Sequence, residues 1–239
     1  MNQTGLRLYN RLRGSILHPQ WLTDRFHIRS RRYLRKLRDS RILDIGSGNS
    51  RNAKHLHASN TVIRLDYPTT NRRYQTQPDV FGDAGRLPIA NNSLDAVLLF
   101  EVMEHIGAHE YAVQEIHRVL RRDGWLFVSV PFMYPIHDSP HDYFRFTVHG
   151  IRRVLETNGF QIAQLAQHGN SLLVPLQLMN LAVLEGCRAA WRKHLLLGVC
   201  ALLIGYPVCL LTNLVALPLT LLPNTGASCF GYFVVAKHN

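Results

Sequence analysis

The ten residues from Arg41 to Ser50 constrain the fold of this chain more than any other stretch. They read R-I-L-D-I-G-S-G-N-S, a short apolar run with one acid inside it, followed by two glycines one residue apart. An apolar run that breaks into a G-x-G turn before a helix is how a doubly wound α/β sheet opens a nucleotide site. Gly46 and Gly48 let the backbone approach a ligand where a Cβ would collide with it. Ser50 stands where many such loops have a third glycine.

Further apolar runs alternate with helical patterns along the rest of the chain. Such alternation predicts parallel βαβ units. We expect Gly124 to end one helix in a left-handed cap, and Thr147 to begin the next as its N-cap. The strands are predicted at 42–45, 62–65, 78–82, 96–100, 125–130, 160–165 and 230–236, and the helices of this part at 51–57, 111–122 and 147–156.

The order of these motifs resembles one large enzyme family. The turn is followed by L-D at 65–66, G-D-A at 82–84, then N-N-S-L-D-A-V-L-L-F-E-V-M-E-H-I and E-I-H-R-V-L-R-R-D-G-W-L-F-V-S-V-P. From Leu37 to Leu165 this is similar to the class I S-adenosylmethionine (SAM)-dependent methyltransferases, and most similar to the methyltransferase type 11 family. The resemblance implies a Rossmann-like, seven-stranded methyltransferase sheet whose last strand lies antiparallel between its neighbours, with SAM as the cofactor.

The same resemblance implies a set of cofactor-binding residues. Those of the glycine turn would hold the methionine part of SAM, and the acid after the second strand would bind the ribose. A second acid and the backbone beside it would meet the adenine, and the end of the fourth strand would line the sulfonium. In that order the residues are Asp44, Gly46, Ser47 and Gly48; Asp66; Asp83 and Ala84; and Phe100 and Glu101.

Titratable residues crowd two segments that follow the fourth and fifth predicted strands, at the carboxyl edge where open α/β sheets bind ligands. An imidazole paired with a carboxylate can deprotonate a hydroxyl. We therefore predict His141 as a catalytic base and Asp142 as its orienting partner. Five neighbours are predicted to bind the substrate: Glu104, His105, His137, Tyr143 and Arg145.

Two other interpretations of this loop stay open. Its side chains could simply brace the loop against the helix at Thr147. The repeated His-Asp pair, at 137–138 and 141–142, could also contribute to a metal site. That pair lacks a clear third ligand, so no metal site is predicted.

Positive charge is concentrated at the amino-terminal end of the chain. Residues 1–41 hold eleven Lys and Arg against two acids, within a net charge of +11 for all 239 residues. Such an arm attracts nucleic acid or an anionic membrane, unless it is only a solvated helix face. We expect irregular structure at 1–14 and a helix at 21–37, and the family resemblance implies that this helix covers the cofactor. Its inward stripe would be Phe26, Tyr33, Leu34 and Leu37, and its outward face Arg25, Arg29, Arg32 and Lys36.

A long uncharged segment precedes the last predicted strand. Residues 195–236 contain no charged side chain, and 195–223 are 29 mostly apolar residues. Because the last strand must rejoin the sheet, and Pro207 and Pro218 should break a helix, we expect a bent hairpin that dips into one leaflet. Residues 171–194 would form an amphipathic helix leading to it. A soluble helical cap, a dimer interface and a single membrane crossing are the alternatives.

These observations predict four regions and one leading function. The regions are a basic segment with a lid helix (1–40), a SAM-binding core (41–170), a membrane-associating insertion (171–228) and the last strand (229–239). The cysteines and the lack of an apparent signal peptide predict a reducing, cytoplasmic compartment. The apolar insertion predicts that the protein is attached there as a monotopic hairpin on the cytosolic face of a membrane. We expect methyl transfer to a hydroxyl, or to an amine or carbon, of a small amphiphilic or lipid-linked glycan substrate. An RNA methyltransferase and a non-catalytic membrane adaptor are the alternatives.

Overall fold

The computed structural model describes residues 11–12, 14–26, 28–48, 52–69, 77–223 and 226–239, without the side chains of residues 25, 26, 28 and 29. Its helices are α1 (Trp21–Phe26), α2 (Ile28–Leu34), α3 (His109–Val119), α4 (Val148–Thr157), α5 (Leu173–Lys193) and α6 (Leu195–Leu219). Its strands are β1 (Arg41–Ile45), β2 (Thr61–Asp66), β3 (Val80–Phe81), β4 (Leu94–Phe100), β5 (Leu120–Pro131), β6 (Phe160–His168) and β7 (Gly231–His238).

The chain divides into two compact units. The sheet unit comprises residues 29–132, 136–166 and 231–239, and the hairpin unit comprises residues 1–28, 133–135 and 167–230.

All seven strands form one sheet in the order β3-β2-β1-β4-β5-β7-β6. The pairs from β3 to β5 are parallel, whereas β7 runs antiparallel to β5, from Trp125 opposite Lys237 to Pro131 opposite Gly231. This confirms the predicted methyltransferase sheet and its inserted last strand. Because β1, β2, β4 and β5 are parallel, their carboxyl ends lie along the same edge of the sheet.

The core of the sheet unit is built from strand residues and one helix. Tyr33, at the end of α2, lies with its ring centroid 5.7 Å from that of Phe233 and 6.4 Å from that of Phe127. Leu37 packs against the same cluster, so three of the four residues of the predicted inward stripe are confirmed. The fourth, Phe26, and the outward residues Arg25 and Arg29 have side chains outside the described part. The buried residues of the cluster are Leu34, Ile42, Ala96, Leu98, Phe127, Phe233 and Val235.

Several predicted boundaries differ from the structure. The helix expected at 21–37 is two short helices on either side of His27, and the one expected at 51–57 is a 3-10 turn, Ala53–His55. The predictions for residues 1–10 and for Ser50 lie outside the described residues.

The third predicted helix, α3, ends three residues early, because β5 already begins at Leu120. The left-handed residue there is Asp123, with a φ of 65°, and not Gly124. Gly124 is needed for another reason, since a Cβ on it would lie 2.8 Å from the carbonyl oxygen of Arg121. The next helix begins as predicted, with the Thr147 hydroxyl accepting the amide of Gly150 at 3.0 Å.

The predicted bent hairpin at 195–223 is wrong in shape. Residues 195–219 form a single helix, α6, which continues through Pro207. The hairpin is instead formed by α5 and α6. Asn180 donates to the Asn213 side chain at 2.9 Å, and the Cys187 thiol donates to the carbonyl of Ala201 at 3.2 Å, so the two helices run antiparallel. We infer that Pro207 is tolerated because contacts along α5 compensate for the one hydrogen bond that it removes.

Small residues on α6 let the two helices of the hairpin approach closely. A Cβ on Gly198 would lie 2.6 Å from the Trp191 ring, and one on Gly205 would lie 2.8 Å from both Cys187 and Val183. The opposite face of α6 is apolar and exposed. Its large exposed side chains are Leu195, Leu196, Leu197, Val199, Leu202, Leu203, Ile204, Val208, Leu211, Leu214, Val215 and Leu217.

The amino-terminal end of the chain packs within the hairpin unit. Asn213 donates to the backbone carbonyls of Ile16 and His18, at 2.8 and 2.9 Å, and Asn180 donates to that of Pro19 at 3.1 Å. These bonds fix the segment before α1 on the two long helices.

Candidate active site

The turn after β1 folds back onto the end of β2. Gly46 and Ser47 both donate their amides to the carbonyl of Leu65, at 2.9 and 3.2 Å, and Gly48 donates to Asp66 Oδ2 at 3.1 Å. Gly46 has a φ of 66° and Gly48 a φ of 49°, a conformation that glycine adopts without strain. A Cβ on Gly46 would also lie 2.2 Å from the Val102 side chain. Val102, in the loop after β4, can therefore pack against this turn only because Gly46 has no side chain.

Asp44 is a carboxyl group buried at the end of β1. Its side chain is fully buried, and neither oxygen accepts a well-formed hydrogen bond from a described residue. Burial raises the pKa of Asp44 to about 7; the Asp66 carboxylate adds to this, and the nearby Asn52 side chain opposes it. A buried carboxyl group without a firm partner is suited to bind a ligand that carries positive charge or donates a hydrogen bond.

The other predicted cofactor residues lie at the carboxyl ends of β2, β3 and β4. Asp66 is almost fully buried, and its Oδ1 accepts the amide of Tyr67 at 2.9 Å. Asp83 caps its own turn by accepting the Gly85 amide at 2.8 Å, beside buried Ala84. Asp83 therefore acts as a turn cap in this structure, which is a common role for an aspartate in a turn.

The last two predicted cofactor residues close β4. The ring of Phe100 lies 6.1 Å from that of Phe233, at the border of the sheet core. Glu101 has a φ of 53°, and its Oε1 accepts the hydroxyl of Ser129 at 2.6 Å. Ser129, the β5 residue that holds Glu101, was missed by the sequence reasoning because a lone serine in an apolar strand carries no signal.

The segment after β4 and the loop after β5 are joined through the backbone of Glu104. Its carbonyl accepts the amides of Tyr143 and Phe144, at 2.9 and 3.3 Å. The His105 Nδ1 atom lies 2.8 Å from the carbonyl of His141. Residues that are more than thirty positions apart in sequence thus form one cluster.

Asp142 is the best-anchored acid of this cluster. Arg145 donates to both of its oxygens at 2.6 Å, and its Oδ2 also accepts the amide of His137 at 2.8 Å. The bidentate guanidinium lowers the pKa of Asp142 to about 2, so this carboxylate stays charged.

The predicted pairing of His141 with Asp142 differs from the structure. The Asp142 carboxylate lies 3.3 Å from Nδ1 of His137, whereas the His141 ring lies 3.0 Å from the Tyr143 hydroxyl. His141 and Asp142 therefore contact different side chains and do not pair with each other. His141 is exposed, and Asp142 is buried.

Glu104 lies at the centre of the cluster. Its side chain is fully buried, and its Oε1 lies 3.6 Å from Nε2 of His105 and 3.8 Å from Nε2 of His137. Burial raises the pKa of Glu104 well above its usual range, with repulsion from Glu101 adding to the effect. Burial also lowers the pKa of His105.

Comparison with known proteins agrees with this fold. A methyltransferase domain family matches residues 43–128. A probable SAM-dependent methyltransferase of Mycolicibacterium smegmatis is 30% identical over 185 residues, which are 67% of this chain and 70% of that protein. A demethylmenaquinone methyltransferase of a Mycobacterium species is 33% identical over 92 residues, 37% of this chain and 40% of that protein.

Solved structures show the same fold at lower identity. The phosphoethanolamine N-methyltransferase 2 of Haemonchus contortus, solved in complex with SAM, aligns with a TM-score of 0.54 and 16% identity over 88% of this chain and 52% of that one. A [4+2]-cyclase aligns with a TM-score of 0.53 and 17% identity over 92% of this chain and 80% of that one.

The buried Asp44 carboxyl group and the bare glycine turn fit a ligand with a cationic amino-acid end, as SAM has. The motif order, the sheet and the extended match to the mycobacterial relative converge, and this chain belongs to the class I SAM-dependent methyltransferases, with SAM as its cofactor.

Proposed function

We propose that this methyltransferase acts at a membrane surface on a hydroxyl group of an amphiphilic or lipid-linked substrate. The observation that carries the proposal is the uncovered apolar face of α6. Only 22% of the most apolar window of this helix is buried. Soluble monomers rarely expose a continuous apolar surface larger than a few hundred Å².

The length and connectivity of the hairpin favour in-plane binding over a crossing. Among the described residues, α6 is the one helix long and apolar enough to span a bilayer, at about 37 Å for 25 residues. Both β6 and β7 belong to the same sheet, so the chain between them has to return to the side it left. A second crossing would fall to α5, which carries Glu185, Arg188, Arg192 and Lys193.

The charges at the turn between the two helices suit the headgroup region. Arg188, Arg192 and Lys193 are exposed in the last part of α5, next to the start of the apolar helix. Basic side chains beside an apolar helical face are typical of helices that lie in the membrane interface. We therefore propose that α6 lies along the interface, with its apolar face toward the lipid.

For the cofactor, we propose the residues assigned from the family resemblance. Asp44 and the turn of Gly46, Ser47 and Gly48 would hold the amino-acid end of SAM, and Asp66 the ribose. When bound, SAM supplies an electrophilic methyl group, and the protein has to orient the acceptor and exclude water. The remaining assignments are Asp83 and Ala84 at the adenine, and Phe100 and Glu101 near the sulfonium.

For the acceptor, we propose the cluster after β4 and β5. His141 is the candidate base, because its ring is exposed and lies 3.0 Å from the hydroxyl of Tyr143. In the transfer, an acceptor oxygen forms a bond to the methyl carbon as the carbon–sulfur bond breaks, and the hydroxyl proton passes to this base. The other substrate-binding candidates are Glu104, His105, His137 and Arg145, with Asp142 positioning His137 and Arg145.

Vesicle flotation with full-length protein tests the membrane part of the proposal. We expect the protein to float with vesicles that contain anionic lipid, and to stay bound through carbonate extraction. The Leu203→Glu, Ile204→Glu double variant should lose flotation, because both side chains are 70% exposed on α6. Tyr111→Glu alters an equally accessible residue on α3 and should float like the wild type. Release of the full-length protein by carbonate would contradict the proposal.

A labelling experiment tests the acceptor. Membrane extract and total RNA are incubated with the protein and with SAM that carries a labelled methyl group. We expect the label in the organic phase after extraction. Label in RNA would support the alternative of an RNA methyltransferase, and SAM binding without any transfer would support a non-catalytic adaptor.

A further inference from the structure

We propose that Glu104, His105 and His137 form a binding site for a divalent transition-metal ion. The sequence suggested imidazoles near this position but no third ligand. In the folded chain one ligand atom from each of the three residues lies within 4.8 Å of the other two. Two imidazoles and one carboxylate are a common ligand set for first-row transition metals.

Each imidazole is oriented by a partner on its other nitrogen. The carbonyl of His141 can only accept, so His105 carries its proton on Nδ1 and keeps a free lone pair on Nε2. Nδ1 of His137 lies 3.3 Å from the Asp142 carboxylate and 3.4 Å from Nη2 of Arg145, which holds that carboxylate by both oxygens. A metal-ligating histidine usually donates its second N–H in this way to a carbonyl or a carboxylate.

Glu104 supplies the second, independent observation. Its side chain is fully buried, and neither oxygen has a hydrogen-bond partner among the described residues. Leaving a carboxylate buried and unbonded is costly, so such groups are usually paired or bind a metal. Its Oε1 lies close to the Nε2 atoms of both histidines, at 3.6 Å from His105 and 3.8 Å from His137.

The spacing of these atoms fits a metal after a small adjustment. Neighbouring ligand atoms around a zinc-sized ion are about 3–3.5 Å apart, because each bond is about 2.0–2.2 Å long. The two distances from Glu104 Oε1, 3.6 and 3.8 Å, are slightly longer, and the third pair lies within 4.8 Å. The two imidazoles therefore have to approach each other by about 1 Å to bind one ion. Both histidine side chains are partly exposed, so an ion can reach them.

Three protein ligands leave coordination positions open, which is typical of catalytic rather than structural sites. This part rests on the proposed function: the open positions would bind the acceptor oxygen and favour loss of its proton. Two imidazole ligands favour Mn²⁺, Fe²⁺, Co²⁺ or Zn²⁺ over Mg²⁺ and Ca²⁺, which prefer oxygen ligands.

Metal titration of purified, EDTA-stripped, full-length protein tests the site without any acceptor. Mn²⁺ binding is followed by electron paramagnetic resonance, and Zn²⁺ binding by calorimetry. We expect one ion per chain with a micromolar or tighter Kd. Glu104→Gln and His137→Ala should each weaken binding at least tenfold, and Asp142→Asn about 10–100-fold, since it positions a ligand.

Two variants serve as matched controls. His149→Ala removes an exposed imidazole on α4, outside the cluster. His141→Ala removes the candidate base but keeps the backbone carbonyl that orients His105. Both should bind metal like the wild type, and loss of methyl transfer in His141→Ala alone would separate the base from the metal site.

Circular dichroism and SAM binding check that each variant is folded, and His105→Ala replaces Glu104→Gln if the latter unfolds. Folded wild-type protein that binds neither ion would overturn the proposal. So would unchanged binding in His105→Ala and His137→Ala. Metal binding without transfer to any membrane acceptor would refute the proposed function and leave the site intact.

Discussion

The buried Asp44 carboxyl group should make the stability of the cofactor-free protein depend on pH in an unusual direction. Burial raises its pKa from 3.8 to about 7. Between these values the folded chain binds one proton more than the unfolded chain, so the free energy of unfolding falls as pH rises. The stabilisation is fully present below pH 3.8 and is lost as pH rises through 7.

The difference between the two pKa values of Asp44 sets how much the free energy of unfolding changes with pH. About three pKa units at about 1.4 kcal/mol each give roughly 4 kcal/mol, of which about 2–3 kcal/mol falls between pH 5 and pH 8. Asp44→Asn keeps the shape of the side chain but cannot ionise. Its free energy of unfolding should therefore fall about 2–3 kcal/mol less than that of the wild type over this range.

Chemical denaturation at pH 5 and pH 8 measures this difference, and comparison between the two proteins cancels the contributions of Glu104 and the histidines. Glu110→Gln, an exposed carboxyl group on α3, controls for the loss of one acidic charge. If the wild type and Asp44→Asn lose the same stability between the two pH values, the account of Asp44 is refuted. Saturating SAM should reduce the difference, because its cationic end would favour the charged carboxylate.

Three further predictions concern glycines and a helix cap. Gly46→Ala should destabilise the protein by about 1–3 kcal/mol more than Gly48→Ala in urea denaturation, because both have a positive φ but only the first Cβ would collide with Val102, at 2.2 Å. Equal losses would contradict this reasoning. Thr147→Ala should lower the free energy of unfolding by about 1 kcal/mol, because α4 loses the hydrogen bond of its N-cap, whereas Thr147→Ser should keep that bond and the stability. An alanine variant as stable as the wild type would show that the N-cap bond contributes nothing. Gly205→Leu should open the α5–α6 hairpin to limited proteolysis, because two α5 side chains lie 2.8 Å from its Cβ position, and an unchanged digestion pattern would disprove that packing.

The sequence predicted the sheet well because its signals are local. Apolar runs with an acid or a glycine at their ends mark β1, β2 and β4, and the motif order places them in one parallel sheet. The antiparallel insertion of β7 followed from the family resemblance and not from any residue of F-G-Y-F-V-V-A. Hydrogen bonding could not be predicted in the same way: Asp44 and Asp66 both follow apolar residues and both are buried, yet Asp66 accepts two backbone amides and Asp44 accepts none from the described residues.

The shape of the helical hairpin could not be predicted, because the effect of a proline on a helix depends on tertiary contacts that the sequence does not show. Pro207 removes one backbone hydrogen bond, but α6 packs along α5 through Gly198 and Gly205, and this packing depends on both helices at once. Packing between α5 and α6 therefore favours a continuous helix over one that bends at Pro207.

The predicted site residues lie at the expected edge of the sheet, but the contacts among them were not predictable. Adjacent residues such as His141 and Asp142 look like partners in a sequence, whereas in the folded chain they contact different side chains. The partners of Asp142 are Arg145 and His137, and Glu104 joins the cluster from a different loop. Contacts between loops that follow different strands depend on the spacing of the strands, which no local pattern records.

The most direct test of the account is calorimetric titration of SAM into purified full-length protein and its Asp66→Ala variant, with His149→Ala as a control. We expect the wild type and the control to bind SAM with a micromolar Kd. Asp66→Ala should bind SAM at least tenfold more weakly while circular dichroism shows that it is folded. Folded wild-type protein that does not bind SAM, or an Asp66→Ala variant that binds it equally well, would contradict the assignment of the cofactor site to this edge of the sheet.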